Sequence, residues 1–100
     1  MDITDTKTTK INHNGRTYVY VIKNEFGLYY TGITKDITIR IKQHNSKKCK
    51  STMYANVWTL VLYEIKDTRK EAAILERYIK NLGANKYLLK IKYSPNVTMF

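Results

Sequence analysis

The sequence predicts one α+β domain, a small three-stranded antiparallel sheet flanked by helices in the order ββαβα. Its 100 residues suit a single domain, and 43% of them are hydrophobic, which suffices for a small core. Two short runs of β-branched and aromatic residues predict a hairpin, and one amphipathic run predicts a helix. We expect a flexible arm at residues 1–10, the domain at residues 11–93 and a C-terminal tail at residues 94–100.

The first two strands form the predicted hairpin. Asn14-Gly15 is a turn signal that favours positive φ. Residues 17–22 (TYVYVI) follow it and have the composition of a strand. Residues 24–27 (NEFG) indicate a tight connection, and residues 28–33 (LYYTGI) indicate the returning strand.

Local propensity does not decide the segment after the hairpin. Isoleucine alternates with Thr and Arg over residues 37–41, which favours a strand. Against that, Asp36 is a good N-cap. A helix that begins at Ile37 would also place Arg40 and His44 on one face. Helix and strand are therefore equally supported by the local sequence.

The second half contains another strand and the clearest helix. Residues 57–63 (VWTLVLY) form a short run that is nearly all apolar, which predicts a strand buried on both faces. Residues 68–71 (TRKE) form a capping box that opens a helix, and Gly83 lies where a helix C-cap favours glycine. Residues 87–93 fit a short helix or a final strand equally. The apolar stripe of the helix is Ala72, Leu75, Ile79 and Leu82.

Charge and composition restrict the partner and the compartment. Eighteen Lys and Arg against eight Asp and Glu give a net charge of +10 and a pI near 9.7, which favours a polyanion such as nucleic acid. The single cysteine, Cys49, excludes an internal disulfide and a cysteine-based zinc finger. No apolar stretch approaches the roughly 18 residues of a membrane span, and residues 1–10 lack an apolar signal core. We expect a soluble intracellular protein, cytoplasmic or nucleoid/nuclear, with neither a membrane nor a disulfide-linked partner.

Five residues could carry chemistry, and each has an ordinary alternative. Tyr20 and Tyr30 fit plain sheet filling, because tyrosine favours strands. Arg40 and His44 fit a solvated helix face, although a guanidinium also matches phosphate oxygens. Glu76 lies beside the apolar stripe and could simply pair with the lysine four residues later. No second carboxylate accompanies it, which argues against a two-metal nuclease.

Taken in order, these residues resemble the GIY-YIG nuclease superfamily. The first signature word corresponds to residues 18–20 (YVY) and the second to residues 30–32 (YTG). Arg40, His44 and Glu76 follow at the spacing of the family. Five positions in the right order and spacing make the resemblance specific, although each word alone is weak.

The resemblance covers about residues 17–82. Residues 28–36 (LYYTGITKD) are especially similar to the small, stand-alone, single-domain bacterial branch. The resemblance implies that residues 36–46 form a helix. The family often carries a late asparagine, and Asn81, Asn85 or neither could take that role.

The chain departs from the family name at three positions. Tyr18 replaces the first glycine, and Val19 and Thr31 replace the two isoleucines. These are structural positions of a hairpin, so we expect the changes to cost little.

The resemblance implies an endonuclease that hydrolyses DNA phosphodiester bonds with water and one divalent metal ion, Mg²⁺ or Mn²⁺. Glu76 would bind the metal. Arg40 would face the scissile phosphate. Tyr20 would activate the water, with Tyr30 and His44 ordering it or relaying the proton. A phenol has a pKa of about 10 and is almost entirely protonated at pH 7, so it is a poor base there. We expect Arg40 and nearby lysines to lower the pKa of Tyr20.

Basic side chains around the site would contact DNA phosphates and position the DNA without reading its sequence. Duplex, single-stranded and branched DNA all remain open as substrates. One alternative is a catalytically inactive nucleic-acid-binding module of the same fold. Another is an unrelated RNA-binding protein that stacks bases on Tyr18, Tyr20 and Tyr30. The predicted phosphate contacts are Lys35, Lys42, Lys47, Lys48 and Lys50.

Overall fold

The computed structural model describes residues 16–92, 94 and 97–100. The predicted arm at residues 1–10 and the Asn14-Gly15 turn lie outside the described residues. The elements are strands β1 (Thr17–Asn24) and β2 (Tyr29–Thr34), helix α1 (Ile37–Asn45), a 3₁₀ helix (Lys50–Thr52), strand β3 (Trp58–Lys66), helices α2 (Arg69–Leu82) and α3 (Ala84–Lys90), and strand β4 (Thr98–Met99).

The sheet is antiparallel throughout, with the strand order β2-β1-β3-β4. The α+β class and the hairpin are confirmed, but the described residues contain four strands where the sequence predicted three. The additional strand, β4, pairs with Leu62 and Tyr63 of β3. Two residues are too few to show a strand period, so pattern alone could not predict it. Of residues 87–93, which fitted a short helix or a final strand equally, residues 87–90 belong to helix α3.

Each face of the sheet packs a separate core, because successive side chains of a strand point to opposite faces. On one face, Val19 and Val21 pack with Leu62 and with residues of α2 and α3. On the other face, Tyr20 and Ile22 pack against α1 and Trp58. Helices therefore cover both faces of the sheet.

Strand β1 is the most deeply buried strand, and β3, which the sequence predicted to be buried on both faces, is partly exposed. Residues 19–22 are all fully buried, whereas Thr59 and Ile65 of β3 are exposed. The reason is position: β1 lies between two long strands and under helices on both faces, while only the two-residue β4 extends the sheet beyond β3.

Two caps define the helices. Asp36 accepts a hydrogen bond from Ile39 N at 3.0 Å, which begins α1 and confirms the helix that the family resemblance implied. Ile39 is 54% exposed, so the alternating isoleucines do not share one buried face. Thr68 accepts from Glu71 N at 3.1 Å, as a capping box requires, and Gly83 ends α2 at a φ of 97°. Among the described residues, no helix combines the length and apolar character that a bilayer crossing requires.

Candidate active site

Tyr20 lies on the sheet face covered by α1, directly opposite Gly32 of β2. Its ring passes over that glycine. A Cβ placed on Gly32 would lie 2.6 Å from the phenol oxygen and 2.7 Å from Cζ of Tyr20. Position 32 therefore needs glycine, because the phenol of Tyr20 occupies the space that a side chain would fill.

Two residues of α1 meet the buried phenol. The Tyr20 hydroxyl lies 2.8 Å from Nε2 of His44. Arg40 donates from Nε to the same hydroxyl at 3.3 Å. Arg40 also donates from Nη1 to the side chain of Gln43 at 3.0 Å, which fixes the plane of the guanidinium. The helix thus delivers an arginine and a histidine, one turn apart, to a single tyrosine.

The surrounding bonds favour one tautomer of His44. The Tyr20 hydroxyl already accepts from Arg40, so its proton is assigned to Nε2 of His44, which leaves the ring proton on Nδ1. The Thr52 oxygen, 2.7 Å from Nδ1, then accepts from Nδ1–H and donates to the carbonyl of Cys49 at 3.3 Å. Nε2 is then the acceptor, and the Tyr20 hydroxyl donates to it. The result is a directed chain of hydrogen bonds from Arg40 through Tyr20 and His44 to Thr52.

The side chains of Tyr20 and His44 are both neutral near pH 7. Burial raises the pKa of Tyr20 to about 12, although the hydrogen bond and charge of Arg40 act in the opposite direction. Burial, together with the positive charge of Arg40, lowers the pKa of His44 to about 4. Arg40 does act to lower the pKa of Tyr20, as expected, but the expected net lowering is wrong, because the loss of solvation outweighs the neighbouring charge.

Tyr30 covers the outer side of this group. Its ring centroid lies 5.1 Å from that of His44 and 6.4 Å from that of Tyr20. Trp58 supports the other side of Tyr30 at 6.3 Å and donates from its indole N–H to the carbonyl of Thr52 at 3.0 Å. Tyr20 and His44 are fully buried, whereas Tyr30 and Arg40 are half-buried. Tyr30 and Arg40 are thus the members of the group that a substrate can reach.

Glu76 lies on α2, which packs on the opposite face of the sheet. Its carboxylate pairs with Lys80 at 3.2 Å, so the i,i+4 pair expected from the sequence is present. The Lys80 ammonium also lies 5.9 Å from the ring centroid of Tyr30. The other four predicted residues contact one another directly. Glu76 approaches them only through Lys80, which pairs with it and lies near the ring of Tyr30.

The donor set for a metal is sparse. Among residues 16–92, 94 and 97–100, no three His, Cys, Asp or Glu side chains form a group that could hold an ion. A single partly buried carboxylate fits Mg²⁺, which commonly takes one or two carboxylates and completes its shell with substrate phosphates and waters. Such an ion would be held weakly without substrate.

The five predicted phosphate contacts are all exposed: Lys35 lies just before α1, Lys42 lies on it, and Lys47, Lys48 and Lys50 lie just beyond it. Residues 45–52, which carry three of these lysines, comprise the end of α1, a turn and the 3₁₀ helix. Lys47 has a φ of 63° and donates to the side chain of Asn56 at 2.6 Å. Its backbone N–H and that of Lys48 bond to carbonyls of α1, so the basic turn folds against the helix that carries Arg40.

Several supporting residues had no sequence signal. Gln43, Thr52 and Trp58 position Arg40 and His44, but their roles depend on contacts that form only on folding. Lys80 was visible only as the partner of Glu76, and its contact with Tyr30 depends on how α2 packs. Asn81 and Asn85 are exposed, and neither has a role assigned to it.

Comparisons with known proteins identify a family model, relatives and a similar solved structure. The sequence matches the family model of the GIY-YIG catalytic domain over residues 16–88. It is 39% identical over 72 residues to a UPF0213 protein of Staphylococcus saprophyticus, covering 71% of this chain and 88% of that protein. It is 36% identical over 76 residues to a UPF0213 protein of Staphylococcus aureus, covering 75% and 93%. The solution NMR structure of a UPF0213 protein from Bacillus halodurans is similar at a TM-score of 0.50 and 32% identity, covering 80% of this chain and 88% of that one.

Proposed function

Because the chain belongs to the GIY-YIG catalytic domain family, we propose that it is an endonuclease that hydrolyses DNA phosphodiester bonds with one divalent metal ion. The observation that carries the proposal is the bonded group of Arg40, Tyr20 and His44, with Tyr30 over it. Any buried hydroxyl needs a hydrogen-bond partner, but this one joins a guanidinium that reaches solvent to a neutral imidazole that can accept a proton. Family membership also removes the alternative of an unrelated RNA-binding protein.

Arg40 binds the scissile phosphate in this proposal. Two of its five guanidinium N–H donors are held by Tyr20 and Gln43. The guanidinium is half-buried, so it reaches solvent while its orientation stays fixed. A positive group fixed in advance stabilises the charge that develops on the phosphate without reorganising during the reaction.

Tyr20 and His44 carry the proton away from the attacking water. As the water O–H bond breaks, Tyr20 takes the proton on its oxygen and passes its own proton to Nε2 of His44. His44 becomes an imidazolium and keeps its Nδ1–H bond to Thr52. This route needs no preformed tyrosinate, which a pKa of about 12 makes scarce. A bound phosphate offsets the charge of Arg40, and so removes one of the two causes that lower the pKa of His44.

Tyr30 orients the water in this scheme. Tyr20 is fully buried, so the water must enter between Tyr30 and Arg40, the two half-buried members of the group. Substrate binding therefore has to uncover the Tyr20 hydroxyl as it places the phosphate.

Glu76 is the proposed metal ligand. The ion, Mg²⁺ or Mn²⁺, would supply positive charge for the phosphate and the leaving 3′ oxygen. Lys80 has to release the Glu76 carboxylate for this, which its exposed side chain permits. The five lysines before, on and beyond α1 would bind the phosphates on either side of the scissile one and position the DNA without reading its sequence.

The test is cleavage of labelled single-stranded, duplex and branched DNA with and without Mg²⁺ or Mn²⁺. We expect metal-dependent cutting that is lost in Glu76→Gln and Tyr20→Phe. Glu71→Gln is the matched control, because it makes the same change at an exposed position of the same helix. Binding without cutting, in every DNA form and with both metals, would instead identify an inactive binding module.

A further inference from the structure

A groove lies beside the candidate active site on the same face of the sheet. Its volume is about 410 Å³, at the lower end of the roughly 300–1,000 Å³ of ligand sites. Tyr18 and Tyr63 form its aromatic wall, Leu60 and Ile37 add apolar surface, and Lys35 stands at its rim. This composition suits a ligand with one flat ring system and a negative charge.

The groove is in register with the catalytic group. Tyr63 is the direct partner of Tyr20 across β1 and β3. Tyr18 lies two residues before Tyr20 on the same face, a distance of about 7 Å at the usual rise of a strand. Ile37 opens the helix that carries Arg40 one turn later. An occupant of the groove therefore lies beside any phosphate held by Arg40, at a separation comparable to one nucleotide of an extended strand.

The two aromatic rings suit a nucleobase. Their centroids are 5.5 Å apart and their planes meet at 66°, so they form two walls of a corner. A flat base can stack on one ring and meet the edge of the other, an arrangement that aromatic rings favour. The nearest acidic group, Asp36, already accepts the N-cap bond of α1, and Lys35 beside it offers a cation for a phosphate.

We propose that this groove binds an unpaired nucleobase of the DNA strand, next to the phosphate held by Arg40. The proposal rests on the proposed endonuclease function and narrows its substrate to DNA with at least one unpaired nucleotide at the cut. A base inside a duplex is stacked on both sides and cannot enter. The aromatic wall includes Tyr18, which stands where the family name has glycine.

The test uses oligonucleotides with 2-aminopurine at one position at a time, bound to the Glu76→Gln variant without metal. Stacking quenches this base, so we expect quenching at one or two positions of single-stranded DNA and none in a blunt duplex. Tyr18→Leu and Tyr63→Leu should abolish the quenching and weaken binding about 5- to 150-fold, the range for loss of one stacked base. Tyr18→Phe and Tyr63→Phe keep the ring and should retain both.

Tyr78→Leu is the matched control, since Tyr78 is exposed on α2 and packs near α3 rather than the groove. Quenching at no position, or Leu variants that bind like the parent, would overturn the proposal. A larger response with RNA of the same sequence would overturn the assignment to DNA. Cleavage by the wild-type protein is measured separately, so a wrong groove is distinguished from a protein that does not cut.

Discussion

Gly32→Ala tests the contact on which the whole group of residues depends. The φ of Gly32 is not positive, so its backbone would accept alanine. The obstacle is Tyr20: the new Cβ would lie 2.6, 2.7 and 3.0 Å from its hydroxyl oxygen, Cζ and Cε1. Carbon atoms pack best at about 3.5–4.0 Å, so the ring or the strand must shift by roughly 1 Å.

The phenol cannot give way cheaply, because it is fully buried and bonded to His44 and Arg40. Overpacking of this kind typically costs about 1–3 kcal/mol of unfolding free energy. For a domain of this size each kcal/mol lowers Tm by roughly 4–8 °C. A displaced phenol also loses its bond to His44, so we expect cutting per folded molecule to fall as well.

The assay is thermal unfolding together with DNA cleavage at a temperature where each variant is folded. Gly27→Ala is the control. Gly27 has a φ of 81° and open space around its Cβ position, so alanine there adds backbone strain and no contact with Tyr20. Gly27→Ala should lose stability but keep its cutting rate, whereas Gly32→Ala should lose both. A Gly32→Ala protein with unchanged Tm and rate would show that the phenol does not lie over this glycine.

Four further predictions follow from the same contacts. Cutting by the wild type should be flat from pH 6 to 9, because His44 is neutral above its pKa of about 4 and Tyr20 keeps its proton below about 12; a steady rise would restore tyrosinate as the base. Because the pKa of His44 is lowered on folding, unfolding free energy should fall as pH drops from 6.5 to 4, by on the order of 3 kcal/mol in urea titrations, and the fall should be smaller in His44→Gln. Thr52→Val leaves Nδ1–H of His44 without its acceptor, so stability should drop by about 1–3 kcal/mol and cutting should decrease; unchanged values would contradict the hydrogen bond between His44 and Thr52. Glutamine at all five predicted phosphate contacts should make DNA affinity depend less steeply on salt concentration. An unchanged slope would show that these lysines do not contact the DNA. The five are Lys35, Lys42, Lys47, Lys48 and Lys50.

The strands and helices followed from local pattern wherever the pattern was long. The hairpin and α2 carry their own signals, in strand composition and in the capping box at Thr68. The segment of α1 did not, because its isoleucines alternate; only the family resemblance predicted a helix there. The strand β4 has two residues, and its pairing with β3 depends on contacts that sequence period does not express.

The sequence predicted four residues that meet in the fold, Tyr20, Tyr30, Arg40 and His44, but not their electrostatics. Sequence shows charges, and the charges around Tyr20 are positive, which led to an expectation of a lowered pKa. Burial reverses that sign, and burial arises from Gly32 and α1 closing on the phenol. Thr52 and Trp58 escaped prediction for a related reason. They lie 8 and 14 residues beyond His44 in the chain and meet it only through the fold.

The position of β2 at the edge of the sheet explains how a side chain of α2 can approach residues on the opposite face. Tyr20, Arg40 and His44 belong to the layer between α1 and the sheet, whereas Glu76 belongs to α2 on the other face. In the interior of a sheet these layers would be separated by neighbouring strands, but β2 is an edge strand. Lys80 can therefore approach the ring of Tyr30 from α2.

The two halves of the site also differ in rigidity. The half around Tyr20 is buried and held by four directed hydrogen bonds, so its geometry exists before substrate arrives. The half around Glu76 is a surface ion pair whose lysine side chain is 52% exposed, and such pairs contribute little to stability. Exchange of Lys80 for a metal ion therefore costs the fold little. In the proposed mechanism Arg40, Tyr20 and His44 keep their hydrogen-bond partners, whereas Glu76 has to exchange Lys80 for the metal ion.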